Sequence, residues 1–201
     1  MSTAPTATQV SAAPKVWNLP NVLTATRLGL ALVLFAAIAA EAWWSALAVF
    51  IVAAITDWLD GYLARRQGLT SAFGRNFDPL VDKVLVCGAF IFLLPVPGSD
   101  LKAWMVTLVV GRELIVTGLR SFFESRMANF GADWLGKIKM VLQCATLIAI
   151  LASLAVRGAD TPAIHSFLDA ARFGLIWAML LATALSGLQY LWRAAVLFRS
   201  A

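Results

Sequence analysis

Six long apolar stretches govern what this chain can fold into. They run over roughly 22–40, 45–65, 79–96, 101–123, 136–156 and 171–197. Each approaches the about 20 residues that an α-helix needs to cross a bilayer core. Backbone amides in lipid have no water to bond, so the spanning solution for continuous apolar runs is the helix. With 61% hydrophobic residues and a mean hydropathy of +0.81, an aqueous globular domain is excluded, since it could not hide that much apolar surface. The fold expected is all-α, a polytopic membrane protein with six transmembrane helices. Residues 1–15, "MSTAPTATQVSAAPK", read as a disordered lead, and 16–201 as one membrane domain. The lead lacks the basic start and apolar centre of a signal peptide. In "VWNLPN", Trp17 suits the headgroup zone and Pro20 sets the approach to the first helix.

Lys and Arg set the orientation. With the N-terminus cytoplasmic, 13 of the 16 basic residues fall at cytoplasmic ends, leaving Lys102, Arg157 and Arg172 on the opposite side. Both termini are then cytoplasmic. The aromatic residues Trp43, Trp44, Trp104, Trp134 and Trp192 read as an interfacial belt. Cys87 and Cys144 sit in apolar runs as small hydrophobes, and His165 falls in a solvated far-side loop, "GADTPAIHSF".

Against this background stands "TDWLDGYLARRQGLTSAFGRNFDPLVDK", residues 56–83, with four aspartates between two oily runs. Asp57 and Asp60 are three apart, Asp78 and Asp82 four apart, so each pair shares one helix face. Pro79 suits the first turn of the third helix, which places Asp78 at its cap. Clustered carboxylates repel, and divalent cations relieve that repulsion. An all-oxygen set selects hard ions, Mg²⁺ or Mn²⁺, and four ligands can hold two, an arrangement suited to phosphoryl transfer. Acids at helix ends ordinarily just cap helices or face water. Here Gly61, Ala64 and Gly74 lie between them, giving a phosphate or flat ring access to the backbone, and Arg65 follows as a planar cation.

The spacing of Asp57, Asp60, Gly61, Ala64, Arg65, Gly74, Asp78 and Asp82 resembles the signature of the CDP-alcohol phosphotransferase family, with all eight fixed positions present over 26 residues. "NLPNVLTATRLGLAL", "GRELIVTGLR" and "WLGKIKMVLQ" look like its phosphatidylglycerophosphate synthase branch, apart from Gly111 where many relatives carry alanine. The resemblance implies that CDP-diacylglycerol and glycerol 3-phosphate give phosphatidylglycerophosphate and CMP in a bacterial cytoplasmic membrane, at a site facing the cytoplasm. It implies Asp57, Asp60 and Asp78 on one ion and Asp57, Asp78 and Asp82 on the second, with Asp82 as general base. Asp60, Gly61, Ala64, Arg65 and Gly74 would bind CDP-diacylglycerol, joined by Asn21 and Thr24, which with Arg27 recur every three residues and could equally cap and anchor the first helix.

The acceptor needs separate cations. Arg112 follows "AWMVTLVVG", deeper than an anchoring residue needs to be, and an intramembrane charge is a functional candidate. Arg120 lies two turns on, and Lys137 and Lys139 open the fifth helix. Their plain alternative is topological anchoring. Glu113 is a candidate partner for a neighbouring cation. The expected partners are the two substrates, membrane lipids and a second copy of the chain, with no nucleic acid. Rival readings are another branch of the family, using inositol phosphate, serine or a phospholipid, and, more remotely, a divalent-cation transporter.

Overall fold

The computed structural model describes residues 19–67, 72–124, 134–158 and 162–200, with side chains described for 25–56, 83–119, 121, 134–158 and 162–196. The expected lead 1–15 and Trp17 lie outside the described residues. Six helices follow in order: α1 Leu19–Ala39, α2 Trp43–Gln67, α3 Ala72–Leu93, α4 Ala103–Glu124, α5 Trp134–Ala155 and α6 Pro162–Ser200.

Local chemistry explains the ends. Pro20 occupies the first turn of α1, where its missing N–H costs nothing. At the other end Ala42 N bonds to Ala37 O and Glu41 N to Ile38 O. Glu41 takes a left-handed φ of 55°. This is a Schellman cap, with glutamate where glycine is usual.

Two expected boundaries are corrected. α3 begins at Ala72, so Pro79 is its eighth residue and Asp78 lies inside the helix rather than capping it. A proline there removes one ladder bond, to the Arg75 carbonyl, a loss that neighbouring helices can compensate in a packed bundle. α6 begins at Pro162, placing His165 in a helical turn and not in a loop. The reason is again proline at a first helical position, where its fixed φ favours the helix.

α1 packs on both α2 and α3, α5 lies along α6, α2 reaches α5, and α4 leans on α6. Leu34, Ile38, Phe50, Phe90, Leu93, Leu147, Ile150 and Met179 fill the centre. Gly88 is required where α1 meets α3, because a Cβ there would lie 2.2 Å from Phe35 Cζ. The Phe35 ring instead stacks on Phe92 at 4.8 Å between centroids. Ala149, Ser153, Ala182, Thr183 and Ser186 are buried, so the small residues of α5 and α6 serve packing within the chain.

The surface is inverted relative to a water-soluble protein. Leu32, Trp44, Ile91, Leu114, Val141, Phe173, Leu181 and Trp192 are exposed, while Arg27, Glu113, Lys139 and Arg172 are buried. Two helical stretches, Trp134–Ala155 and Pro162–Val196, are long and apolar enough to span a bilayer, and shorter apolar runs occupy Ala25–Ala39, Trp43–Thr56 and Lys83–Leu93. Together these mark a membrane protein. Trp44, Trp104 and Trp134 sit exposed at helix starts, as interfacial residues do.

Arg172, expected only as a far-side charge, is buried at the end of the bundle remote from the aspartate signature. Its guanidinium donates to Asp100 Oδ2 at 2.6 and 3.0 Å and to Ser153 Oγ at 2.8 Å. It also pairs with Asp169 at 3.0 Å. Nearby, Arg157 donates to the Pro97 carbonyl at 2.6 Å. These contacts tie the α3–α4 turn to α5 and α6.

Candidate functional site

α2 carries Asp57, Asp60, Gly61, Ala64 and Arg65; α3 carries Gly74, Asp78 and Asp82; α1 carries Asn21 and Thr24; α4 carries Arg120. The side chains of all these positions lie outside the described residues. Their backbone is helical throughout, so the spacings of three and four residues fall on continuous helices, and α1 braces both α2 and α3. The donor set is carboxylate oxygen alone, which fits a hard divalent cation. Among the described residues no group of three or more His, Cys, Asp or Glu could hold a metal.

Next to the signature, one position beyond Asp82, the described residues assemble a buried charged cluster. Lys83 Nζ on α3 donates to Thr117 Oγ1 on α4, and that hydroxyl donates in turn to the Glu113 carbonyl at 2.6 Å. Lys139 Nζ on α5 donates to Glu113 Oε1. Arg112 Nη1 donates to the same oxygen at 3.2 Å. Glu113 and Lys139 are buried, and the Arg112 side chain is 9% exposed.

From α6, Ser186 Oγ accepts from Arg112 Nη2, and the Tyr190 ring lies 5.6 Å from the Arg112 Cζ. Arg112 Nε has no hydrogen-bond partner among the described residues, and neither do Gln143 Nε2, one turn beyond Lys139, and the Thr183 hydroxyl, one turn before Ser186. Among the described residues two cations thus share one carboxylate oxygen, and the donors of Arg112 and Gln143, the Thr183 hydroxyl and the acceptor Gln189 Oε1 are left over. A low-dielectric interior tolerates that poorly unless an anion completes it.

The helical period sorts the expected cations. Lys137 and Lys139 are two apart, hence on different faces. The structure exposes Lys137 and buries Lys139 against Glu113. Arg27 on α1 is also buried. Sequence reasoning expected Glu113 to pair with a neighbouring cation without placing it, which Arg112 and Lys139 bear out; it counted Lys83 only for topology and gave α6 no part. A lone carboxylate within an apolar run was the signal available for Glu113. For Ser186 and Tyr190 there was none, since both residue types are ordinary in a membrane helix.

Comparison with known proteins bears on this arrangement. A profile of the family described as CDP-alcohol phosphatidyltransferase matches residues 17–186. The chain is 35% identical over 192 residues to the CDP-diacylglycerol–glycerol-3-phosphate 3-phosphatidyltransferase of Bacillus subtilis (strain 168), covering 87% of this chain and 94% of that protein. It is 38% identical over 154 residues to the chloroplastic/mitochondrial CDP-diacylglycerol–glycerol-3-phosphate 3-phosphatidyltransferase 1 of Arabidopsis thaliana, covering 69% of this chain and 52% of that protein. The chain therefore spans about half the length of the Arabidopsis relative. It is also 34% identical over 155 residues to a CMP-forming cardiolipin synthase of Oryza sativa subsp. japonica, covering 70% of this chain and 47% of that protein.

Proposed function

Because the chain belongs to the CDP-alcohol phosphatidyltransferase family, we propose that it transfers the phosphatidyl group of CDP-diacylglycerol to glycerol 3-phosphate, releasing CMP. The carrying observation is the pair of cations, Arg112 and Lys139, sharing the buried Glu113 on helices that pack beside those of the aspartate signature. Several relatives bear the name of this activity, which supports the choice of acceptor. Acceptors that lack a phosphate would leave the excess charge unmet.

Members of this family generally depend on a divalent cation. Asp57, Asp60, Asp78 and Asp82 would hold two, Mg²⁺ or Mn²⁺, whose chemistry is to offset charge on the diphosphate and on departing CMP. The chain's own residues do the rest. Gly61, Ala64 and Gly74 make room for the cytidine, Arg65 takes a phosphate, and Asn21 and Thr24 line the same donor. Arg112 and Lys139 fix the acceptor phosphate, with Arg120 and Lys137 guiding its approach. Asp82 removes the proton of the acceptor hydroxyl as its oxygen bonds to the lipid-bearing phosphorus and the bond to CMP breaks. Transfer of this kind needs positioning and electrostatics, not a protein nucleophile.

The helices form six spans in this reading, with both termini and the site on the cytoplasmic side of a bacterial inner membrane and a second copy of the chain as partner. The basic residues at the signature end support that orientation. Lipid tails then stay in the bilayer while the acceptor arrives from water.

Purified protein with CDP-diacylglycerol, Mg²⁺ and, in turn, glycerol 3-phosphate, inositol phosphate, serine and phosphatidylglycerol tests the reading by CMP release. Release with glycerol 3-phosphate is expected. Release with inositol phosphate or phosphatidylglycerol, and none with glycerol 3-phosphate, overturns the acceptor. The phosphatidylglycerol arm addresses the second reading, which the likeness to a cardiolipin synthase supports.

A further inference from the structure

We infer that α6 sets the affinity for the acceptor through Arg112, with Ser186 and Tyr190 as positioning residues; this rests on Arg112 binding the acceptor's phosphate. An arginine side chain carries about 2 kcal/mol of rotamer entropy. A ligand that must order a loose guanidinium forfeits part of its binding energy. Here contacts within the chain hold the side chain. Ser186 Oγ accepts from Nη2, the Tyr190 ring faces Cζ at 5.6 Å, and Glu113 engages Nη1 at 3.2 Å.

Ser186 and Tyr190 stand four apart on one face of α6, with relative exposures of 0% and 2%. Gly187 between them leaves room for the arginine stem, since a Cβ there would come within 3.3 Å of Arg112 Cγ.

The chemistry of the holders matters. A hydroxyl dipole and an aromatic quadrupole fix a cation without neutralising it, so the positive charge stays available to a phosphate. Carboxylates in the same places would hold Arg112 as firmly and leave little for the acceptor. Arg112 Nε, without a hydrogen-bond partner among the described residues, is a donor left for that purpose.

The test measures KM for each substrate separately, by CMP release from purified full-length protein with Mg²⁺. Tyr190→Leu is expected to raise KM for glycerol 3-phosphate about 5–30-fold and to leave KM for CDP-diacylglycerol within about twofold. Tyr190→Phe, which keeps the ring, restores most of the loss. Ser186→Ala, a deletion of one hydroxyl that leaves the packing intact, raises the same KM about 3–10-fold.

Equal shifts in both KM values, or a lowered melting temperature with an unchanged KM for glycerol 3-phosphate, overturn the inference. So does a Phe variant as impaired as the Leu variant. If the wild-type protein releases no CMP with glycerol 3-phosphate, the functional reading itself fails, and that result is seen before any variant is made.

Discussion

Two ion clusters lie along α6, centred on Ser186 and on Arg172, and about 21 Å of helix separates them. Their charge balance is opposite. Around Arg172 one cation takes two carboxylates, Asp100 and Asp169, plus the Ser153 hydroxyl. Around Glu113 two cations take one carboxylate, and neutral groups of α6 complete the hold on Arg112. The first cluster is satisfied by its own chain and fastens a turn to two helices. Counted over the described residues, the second holds more positive than negative charge in an apolar interior, an arrangement that suits an anionic ligand. In the proposed function, bookkeeping of partners, rather than burial or depth, separates a structural ion cluster from a binding one.

Substitutions in each cluster should therefore move different observables. The largest effect is expected at Arg112. Arg112→Gln lowers kcat/KM for glycerol 3-phosphate about 10²–10³-fold, the scale of a lost charge-assisted contact in a dry site. Its melting temperature stays close to that of the wild type, because surplus charge is removed. A large fall in melting temperature with kcat/KM intact would place Arg112 with the structural cluster.

Next comes the contrast between two lysines on one turn. Lys139→Gln is expected to raise KM for glycerol 3-phosphate about 10–100-fold, whereas Lys137→Gln changes it by no more than about fivefold, the range of an exposed ion pair. The reverse order in the same kinetic assay would show that an exposed guide outweighs the buried ligand.

Arg172→Leu tests the other cluster. Asp100 and Asp169 are half exposed, so water takes them over and the cost is held to about 1–2 kcal/mol. Thermal unfolding should register a fall of a few degrees, while kcat/KM of the folded protein is unchanged. A kinetic defect without loss of stability would contradict the division between the clusters.

The smallest effect lies outside both. Glu41→Gly relieves a left-handed residue at the α1 cap and should add about 0.5–1 kcal/mol in the same unfolding measurement, leaving catalysis alone. It calibrates what a purely conformational change looks like in this chain.

The six helices, their apolar runs and the eight signature positions are legible in the amino-acid order alone. These rest on transfer free energies and residue spacing, which are properties of a local stretch. Local rules also misled in places. Pro79 looked like a helix start because proline favours a first turn, yet α3 begins at Ala72.

Which charges meet is settled by the packing of the bundle. Glu113 was visible as an acid in an oily helix, but its link to Lys139 spans 26 positions, and that of Arg112 to Ser186 spans 74. Such pairings follow from how each helix is rotated against its neighbours, a property of the whole bundle that no single stretch encodes. The same rotation turns Lys139 inward and Lys137 outward, a choice the spacing of two residues requires without saying which of them faces the site.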